Sequence, residues 1–494
     1  MNALLLYPEF PISFWSLKHA LKFIGCKAAL PPLGLITVAA MLPKSWNLRL
    51  IDMNVKKLTE DDLRWADCAL ISAMVVQRQS AEELIARCNS AKVPLIAGGP
   101  LFTEESEQFP EVDHLVLGEA EEIFTHFLAD FEAGRAQHIY KAPGYSDIQT
   151  TPAPRWDLLD IRQYASMSVQ FSRGCPYDCD FCDITVLFGR RPRVKTPKQV
   201  MAELDALWET GWCGNVFFVD DNFIGNKPYL KKTFLPALTE WQRSRKKPAT
   251  FYTEATITLA DDAELMSQMV AAGFNTVFVG IETPAEEGLR ECNKLQNTRG
   301  DLMTSVSKLR KAGLAVQAGF IVGFDSDTPS IFERQRDFIQ KSGIATAMVG
   351  MLQAPRGTRL YKRLLTEGRI KGLISGNNVD GTTNIVPKEM SLEVLAAGYQ
   401  KLVRYLYTPK NYYRRVRIFL REYNPAPSKA WPDWQYFLAL WRSFFYLGIF
   451  GKERFCYWQL IVWMLCRRPR LFHVGIKHAV YGYHFRKVYK LTTN

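Results

Sequence analysis

The chain has 494 residues, 47% hydrophobic and 23% charged, enough for roughly two to four globular units and neither polar enough for wholesale disorder nor apolar enough for a polytopic membrane protein. Its longest apolar stretches, such as 457–466, fall short of the ~20 residues that span a bilayer, and the run at 3–7 lacks the basic residues of a secretion signal, so a cytoplasmic location is expected. Of the net charge of +12, the segment 401–494 holds 18 Lys and Arg against 3 Asp and Glu, which leaves the first 400 residues slightly acidic and places any anionic partner at the C-terminal end.

Short apolar runs at 3–7, 48–52, 68–74, 94–97 and 114–117 read as five strands, with helical patterns at 31–42 and 81–89. This alternation predicts a Rossmann-like, doubly wound α/β domain over 1–145, with a ligand crevice at the carboxyl ends of its strands. The proline-bearing stretch 143–157 reads as a linker. A second series, at 168–172, 216–220, 251–256, 276–281, 315–322 and 347–352, predicts six β/α units, a partial TIM-type barrel over 160–370 with its chemistry in the loops at the strand C-termini. From 371 to 494 the pattern is helical, aromatic and basic, and a mainly α-helical C-terminal domain is expected.

Ten cysteines in a chain this long are too sparse for a disulfide framework, and clustered ones are expected to be ligands. Cys175, Cys179 and Cys182 stand in the spacing C-x-x-x-C-x-x-C directly after the first strand of the second series. Three thiolates so spaced hold three irons of a cubane and leave the fourth without a protein ligand. A structural zinc site would need another Cys or His nearby, and none occurs between Asp183 and Cys213.

The segment 171–182 resembles the signature of the radical S-adenosylmethionine (SAM) superfamily, with Phe181 in the aromatic place before the last cysteine. The resemblance implies a [4Fe-4S] cluster whose free iron chelates the amino and carboxylate groups of SAM, and whose electron cleaves SAM to a 5′-deoxyadenosyl radical. It also implies SAM contacts at later strand ends. Asp221 would lie near the methionine amino group, Glu254 and Glu282 would receive an ammonium or ribose hydroxyls, and Gly319 and Gly323 would flank the strand beside the adenine. Taken singly, each of these residues also reads as a turn glycine or a solvated strand-end carboxylate.

An α/β unit ahead of such a barrel resembles the cobalamin-binding class of the superfamily. Cobalamin modules carry Asp-x-His-x-x-Gly, Ser-x-Leu and Gly-Gly at successive strand ends. Here those places hold Asp52-Met53-Asn54-Val55-Lys56-Lys57, Ser72-Ala73-Met74 and Gly98-Gly99, and Gly118-Glu119 matches a position near the corrin edge. Asn54 replaces the histidine that ligates cobalt. Cobalamin is therefore expected with its nucleotide tail extended into the domain and no imidazole beneath the metal; the alternative is a scaffold that has lost its cofactor. Cys26, Cys68 and Cys88 raise the rival of a methylthiotransferase-like second cluster, but their places in strand and helix favour buried structural thiols.

Most of the chain, from Asn2 to about Tyr413, resembles the subgroup that includes the hopanoid C-2 methylases, through strings such as 217–226 and 323–327. That resemblance implies methyl transfer to an unactivated carbon of a small-molecule or lipid substrate. A flavodoxin- or ferredoxin-type protein would donate the electron, and a second SAM would remethylate the corrinoid. No side-chain acid or base is obligatory; Tyr177, Tyr252 and Arg356 are candidate cavity residues. Rearrangement or cyclisation without net methylation, RNA modification, and a non-enzymatic sensor remain as alternatives. The basic aromatic tail, including 431–450 and 454–470, suits peripheral contact with the inner face of a membrane, RNA binding, or a helical core with a solvated cationic face.

Overall fold

In the computed structural model, which describes residues 1–426 and 434–491, the apolar run from Ala3 to Leu6 is fully buried between helices that cover both faces of a parallel sheet. The strands are β1 (Asn2–Tyr7), β2 (Asn47–Asp52), β3 (Cys68–Ser72), β4 (Leu95–Gly98), β5 (His114–Leu117) and β6 (Ile139–Lys141). They run parallel in the order β2-β1-β3-β4-β5-β6. The winding reverses between β1 and β3, where the crevice of a doubly wound sheet opens. The apolar pattern missed β6 because only Tyr140 of its three residues is buried. The helix expected at 31–42 is confined to Leu33–Ala39 by Pro31 and Pro32, and the one at 81–89 lengthens to Arg78–Ser90. The stretch 143–157 is pinned in place, with Ser146, Ile148, Thr151 and Trp156 buried.

The second series comprises β7 (Met167–Val169), β8 (Ser172–Arg173), β9 (Arg193–Val194), β10 (Asn215–Phe218), β11 (Thr250–Glu254), β12 (Phe274–Glu282), β13 (Ala315–Val322) and β14 (Ala347–Met351). Six of them form an open parallel barrel in the order β14-β13-β12-β11-β10-β7. The single strand expected at 168–172 is broken. The Asp220 carboxylate accepts the amides of Phe171 and Ser172 and the Ser172 hydroxyl, which diverts the chain out of the barrel ladder. β8 then pairs antiparallel with β9 beside the barrel.

Five helical segments close the molecule: Leu392–Tyr407, Pro409–Glu422, Trp434–Ser443 (continued as a π-turn, Phe444–Ile449), Arg454–Arg467 and Phe472–Leu491. Residues 431–433 of the expected aromatic stretch, and the last three residues of the chain, lie outside the described residues. Tyr399, Tyr407, Tyr412, Tyr413 and Tyr457 pack into a core around the fully buried Arg415. The Arg415 guanidinium lies over the Tyr407 and Tyr412 rings and donates to the carbonyls of Ile344 and Leu406. The last helix also reaches the first domain, where Phe485 stacks on Phe14 at 4.4 Å and His484 Nε2 lies 3.1 Å from the Ser13 carbonyl oxygen.

Candidate active site between two facing sheet edges

Gly174 turns the chain from β8 into the cysteine loop with φ +90°, a left-handed conformation that glycine adopts without steric cost. A Cβ there would lie 2.9 Å from the carbonyl oxygens of both Gly189 and Phe188. The loop is held from several sides. The Cys175 amide donates to the Gly189 carbonyl, the Asp180 amide donates to the Cys292 carbonyl, and Arg359 pairs with Asp178 and Asp180. Two side-chain amides approach the sulfurs, Asn222 Nδ2 at 3.8 Å from Cys175 Sγ and Gln296 Nε2 at 3.7 Å from Cys179 Sγ. Such donors stabilise thiolate and cluster sulfur. Burial pushes all three thiols up, so metal binding here must displace their protons. Among the described residues no three His, Cys, Asp or Glu side chains converge where one metal ion would sit. Thiolates that each hold a separate iron of a cubane do not need to. The chain has no histidine between 139 and 472, so the barrel supplies none as a ligand.

Asp221, Glu254 and Glu282 stand at the carboxyl ends of β10, β11 and β12, beside the thiols. Burial, reinforced by Glu254, Asp220 and Asp183, pushes Asp221 well above the usual carboxylate range. Burial and the neighbouring Glu282 push Glu254 up to about 7. Enclosed acids without a cation are costly, and an ammonium ligand would hold both ionised. Glu282 differs from them: at φ +64° it turns its carboxylate onto the Lys294 ammonium. Burial would lower Lys294, but Glu282 and Cys179 outweigh it and push the group up.

Phe181 is drawn into an apolar cluster with Phe324, 6.4 Å away between ring centroids and one residue beyond Gly323. The structure thus brings the cysteine loop and the end of β13 together. Gly323 has φ +106°, and Asp327 accepts the Gly323 and Phe324 amides at 2.8 and 3.1 Å. Gly319 faces the barrel lumen, where a Cβ would come within 3.2 Å of the Phe278 ring. Aromatic contacts floor that lumen, with Phe217 stacked on Tyr252 at 4.8 Å and Trp15 of the first domain edge-on to Phe278 at 4.9 Å.

On the first sheet, Ser72, Gly98, Gly99 and Gly118 line up at the ends of β3, β4 and β5. A Cβ on Gly99, at φ +92°, would lie 2.7 Å from Ser72 Oγ. Glu119, expected near the corrin edge, takes part in an ion-pair network. It accepts Arg193 through both oxygens, at 2.5 and 2.6 Å, and the Ser146 amide at 2.8 Å. Asn54 is likewise engaged: its amide group donates to Asp52 Oδ1 and the Pro8 carbonyl, and its oxygen accepts the Phe10 amide. Asp52 beneath it accepts the Tyr164 hydroxyl at 2.9 Å. Cys68 and Cys88 are buried in the cores on opposite faces of the sheet, so they cannot share a cluster.

The carboxyl edges of the two sheets face each other. Glu119 after β5 meets Arg193 of β9, Glu107 meets Arg356, and a Cβ on Gly376 would lie 2.8 Å from the Val76 amide nitrogen. Between them lies Glu104, which no sequence motif marked. Both of its oxygens are buried without a partner. Burial, Asp183 and Glu105 push it up to about 8. An orphaned acceptor above a row of glycines suits a flat ring with carboxamide donors on its rim, as a corrin has. The residues present therefore fit a cubane and an amino-acid chelate on one edge and a corrinoid on the other.

Comparison with known proteins agrees with this geometry. Residues 26–128 match the B12 binding domain, residues 169–339 the radical SAM superfamily, and residues 358–494 a domain of unknown function (DUF4070). The chain is 42% identical to an uncharacterized methyltransferase of Synechocystis sp. over 98% of its length and 91% of that protein. It is 32% identical to the hopanoid C-2 methylase of Rhodopseudomonas palustris over 94% of this chain and 89% of that one. In fold it resembles the radical SAM methyltransferase TsrM from Kitasatospora setae, solved with cobalamin and a [4Fe-4S] cluster bound, with a TM-score of 0.59 and 14% identity over 81% of this chain and 85% of that one. It also resembles the cobalamin-dependent SAM radical enzyme OxsB, with a TM-score of 0.57 and 18% identity over 88% of this chain and 63% of that one.

Proposed function

Because the chain belongs to the cobalamin-dependent radical SAM methyltransferases, we propose that it methylates an unactivated carbon of a lipid-class substrate, a hopanoid or a comparable polycyclic or long-chain hydrocarbon. Its cofactors are a [4Fe-4S] cluster, SAM and cobalamin. When bound, they supply the electron, the hydrogen-abstracting radical and the methyl group.

The observation that carries the reading is the opposition of two strand edges, one bearing three thiols beside two uncompensated carboxylates, the other a glycine row beneath an orphaned one. In this reading Cys175, Cys179 and Cys182 hold the cluster. Asp221 and Glu254 receive the ammonium and ribose hydroxyls of SAM, while Glu282 acts through Lys294 to fix that wall of the site. Gly319, Gly323 and Phe181 make room for and border the adenine. Ser72, Gly98, Gly99 and Gly118 let the corrinoid approach the backbone, and Glu104 receives its amides. Glu119, near the corrin edge, braces the two edges through Arg193. Asn54, in the place where related modules carry histidine, orders the loops after β1 and β2. A lipid substrate is supported by the aromatic lumen of Phe217, Tyr252 and Phe278 and by the likeness to the hopanoid methylase. A flavodoxin- or ferredoxin-type protein serves as the electron donor.

The test is anaerobic reconstitution with iron, sulfide and cobalamin, followed by incubation with methyl-labelled SAM, a reductant and lipid extract. The expected result is deoxyadenosine together with a labelled lipid heavier by one methyl in place of hydrogen. Deoxyadenosine with a lipid product of unchanged mass would replace methyl transfer by rearrangement or cyclisation.

A further inference from the structure

The helical C-terminal region buries Tyr399, Tyr407, Tyr412, Tyr413, Phe419 and Phe485, but leaves a second set of aromatic side chains outside. Along the helix Trp434–Ser443, the turn Phe444–Ile449 and the helix Arg454–Arg467, large apolar side chains stand in water: Trp434 is 76% exposed, Trp441 63%, Phe450 77% and Phe455 71%. A contiguous face of this size is unusual on a water-soluble surface and marks a docking site. Two adjoining clefts border it. One, of about 360 Å³, is lined by Arg414, Arg417, Arg421, Ile418 and Trp463. The other, of about 600 Å³, is mostly apolar and shares Arg417 and Trp463 with the first, adding Phe455, Trp458 and Val462.

Charge chooses the occupant. Glu422 and Glu453, the acids described in this region, are already paired with Arg310 and Arg486. Among the described residues, no ion pair neutralises Arg414, Arg417 or Arg421, which leaves the first cleft cationic. Tryptophan and phenylalanine rings favour headgroup depth, and arginines pair with lipid phosphate, so an aromatic face beside a cationic cleft matches an anionic bilayer. No helix among the described residues is long and apolar enough to cross a membrane. The geometry that remains is in-plane seating.

We propose that this face docks on an anionic phospholipid bilayer, with the Arg414, Arg417 and Arg421 cleft taking lipid phosphate and the Phe455, Trp458 and Val462 cleft taking acyl chain. This seating rests on no part of the methyl-transfer reading, although it would bring a lipid substrate within reach.

Flotation of the full-length protein with vesicles tests it. The protein is expected to float with vesicles of phosphatidylcholine and phosphatidylglycerol, weakly with phosphatidylcholine alone, and less as salt rises. Replacing all three arginines (Arg414→Ala, Arg417→Ala, Arg421→Ala) is expected to weaken anionic-vesicle binding on the order of 100-fold, at about one order per one to two charges. Trp441→Ser with Phe450→Ser and Phe455→Ser is expected to abolish flotation on either vesicle. Both variants should keep the deoxyadenosine production of the parent, which separates loss of docking from loss of fold or chemistry. Three results would overturn the proposal: failure of the parent to float, release from vesicles by RNA that it binds more tightly, or a stable dimer in solution that the serine substitutions dissociate.

Discussion

Glu119 and Arg193 form a two-pronged ion pair, at 2.5 and 2.6 Å, between the end of β5 and the strand that braces the cysteine loop. Their side chains are 3% and 19% exposed, and removing the carboxylate leaves the Arg193 guanidinium with no acid partner and only the Ser146 and Phe188 carbonyls. Glu119→Ala is expected to cost about 3–5 kcal/mol in denaturant unfolding. The exposed pair of Arg290 and Glu286 provides the contrast, and Arg290→Ala should cost less than ~1 kcal/mol. Equal losses in the two variants would remove Glu119 from its bracing role.

Gly174→Ala is expected to impair cluster assembly. Its left-handed backbone costs a side chain ~1–2 kcal/mol before any contact is counted, and the added Cβ meets two carbonyl oxygens at 2.9 Å. Gly134, at φ +66° with nothing near its Cβ position, isolates the backbone term. Iron and sulfide per chain after anaerobic reconstitution should fall in Gly174→Ala and hold in Gly134→Ala.

Glu254 sets a pH dependence whose sign follows from burial. With its carboxyl pushed up to about 7, the folded ligand-free protein holds a proton that the unfolded chain releases near the ordinary carboxylate range. Stability contributed by the protonated group is complete at acidic pH and is lost as pH rises to about 7, by ~3–4 kcal/mol at most. Glu254→Gln should flatten that decline between pH 5 and 7.5. SAM binding should strengthen over the same interval in the parent and not in the variant. Unfolding curves and SAM titrations at several pH values measure both, and an unaltered slope in Glu254→Gln would contradict the assignment.

Asn54 is held by Asp52, Pro8 and Phe10, and no histidine stands at its position. His114 opens β5 and His138 precedes β6, at the amino edge of the sheet, while His19 and His126 lie on helices. Electron paramagnetic resonance of the cob(II)alamin-loaded protein is expected to show no nitrogen splitting from a protein ligand. Such splitting would contradict the reading of Asn54 as standing in the histidine's place.

The cysteine triad was readable because its three thiols fall within one short loop, where spacing alone brings them together. Long strands were readable for a related reason, since β1 and β13 write their burial as apolar runs. β6 was not, with one buried residue in three, and neither was the break at Gln170, which depends on Asp220 from the next strand. Gln296 and Lys294 come to the thiols across more than a hundred residues and carry no local mark. Glu104 gained meaning only from the opposing sheet.

The order of residues along the chain by itself determined the spacing of the cysteine triad, the two parallel sheets and the asparagine at position 54. These are local properties, set by periodicity and spacing over a few residues. Tertiary structure decided which carboxylates were paired and which were not: Glu119 was taken by Arg193 and Glu282 by Lys294, while Asp221 and Glu254 form no ion pair among the described residues. It also decided which aromatics were core, Tyr407 and Tyr412, and which faced outward, Trp441 and Phe450. The physical reason is the same in both cases. The free energy of a charge or an aromatic ring depends on what surrounds it, and in this molecule those surroundings come from distant parts of the chain.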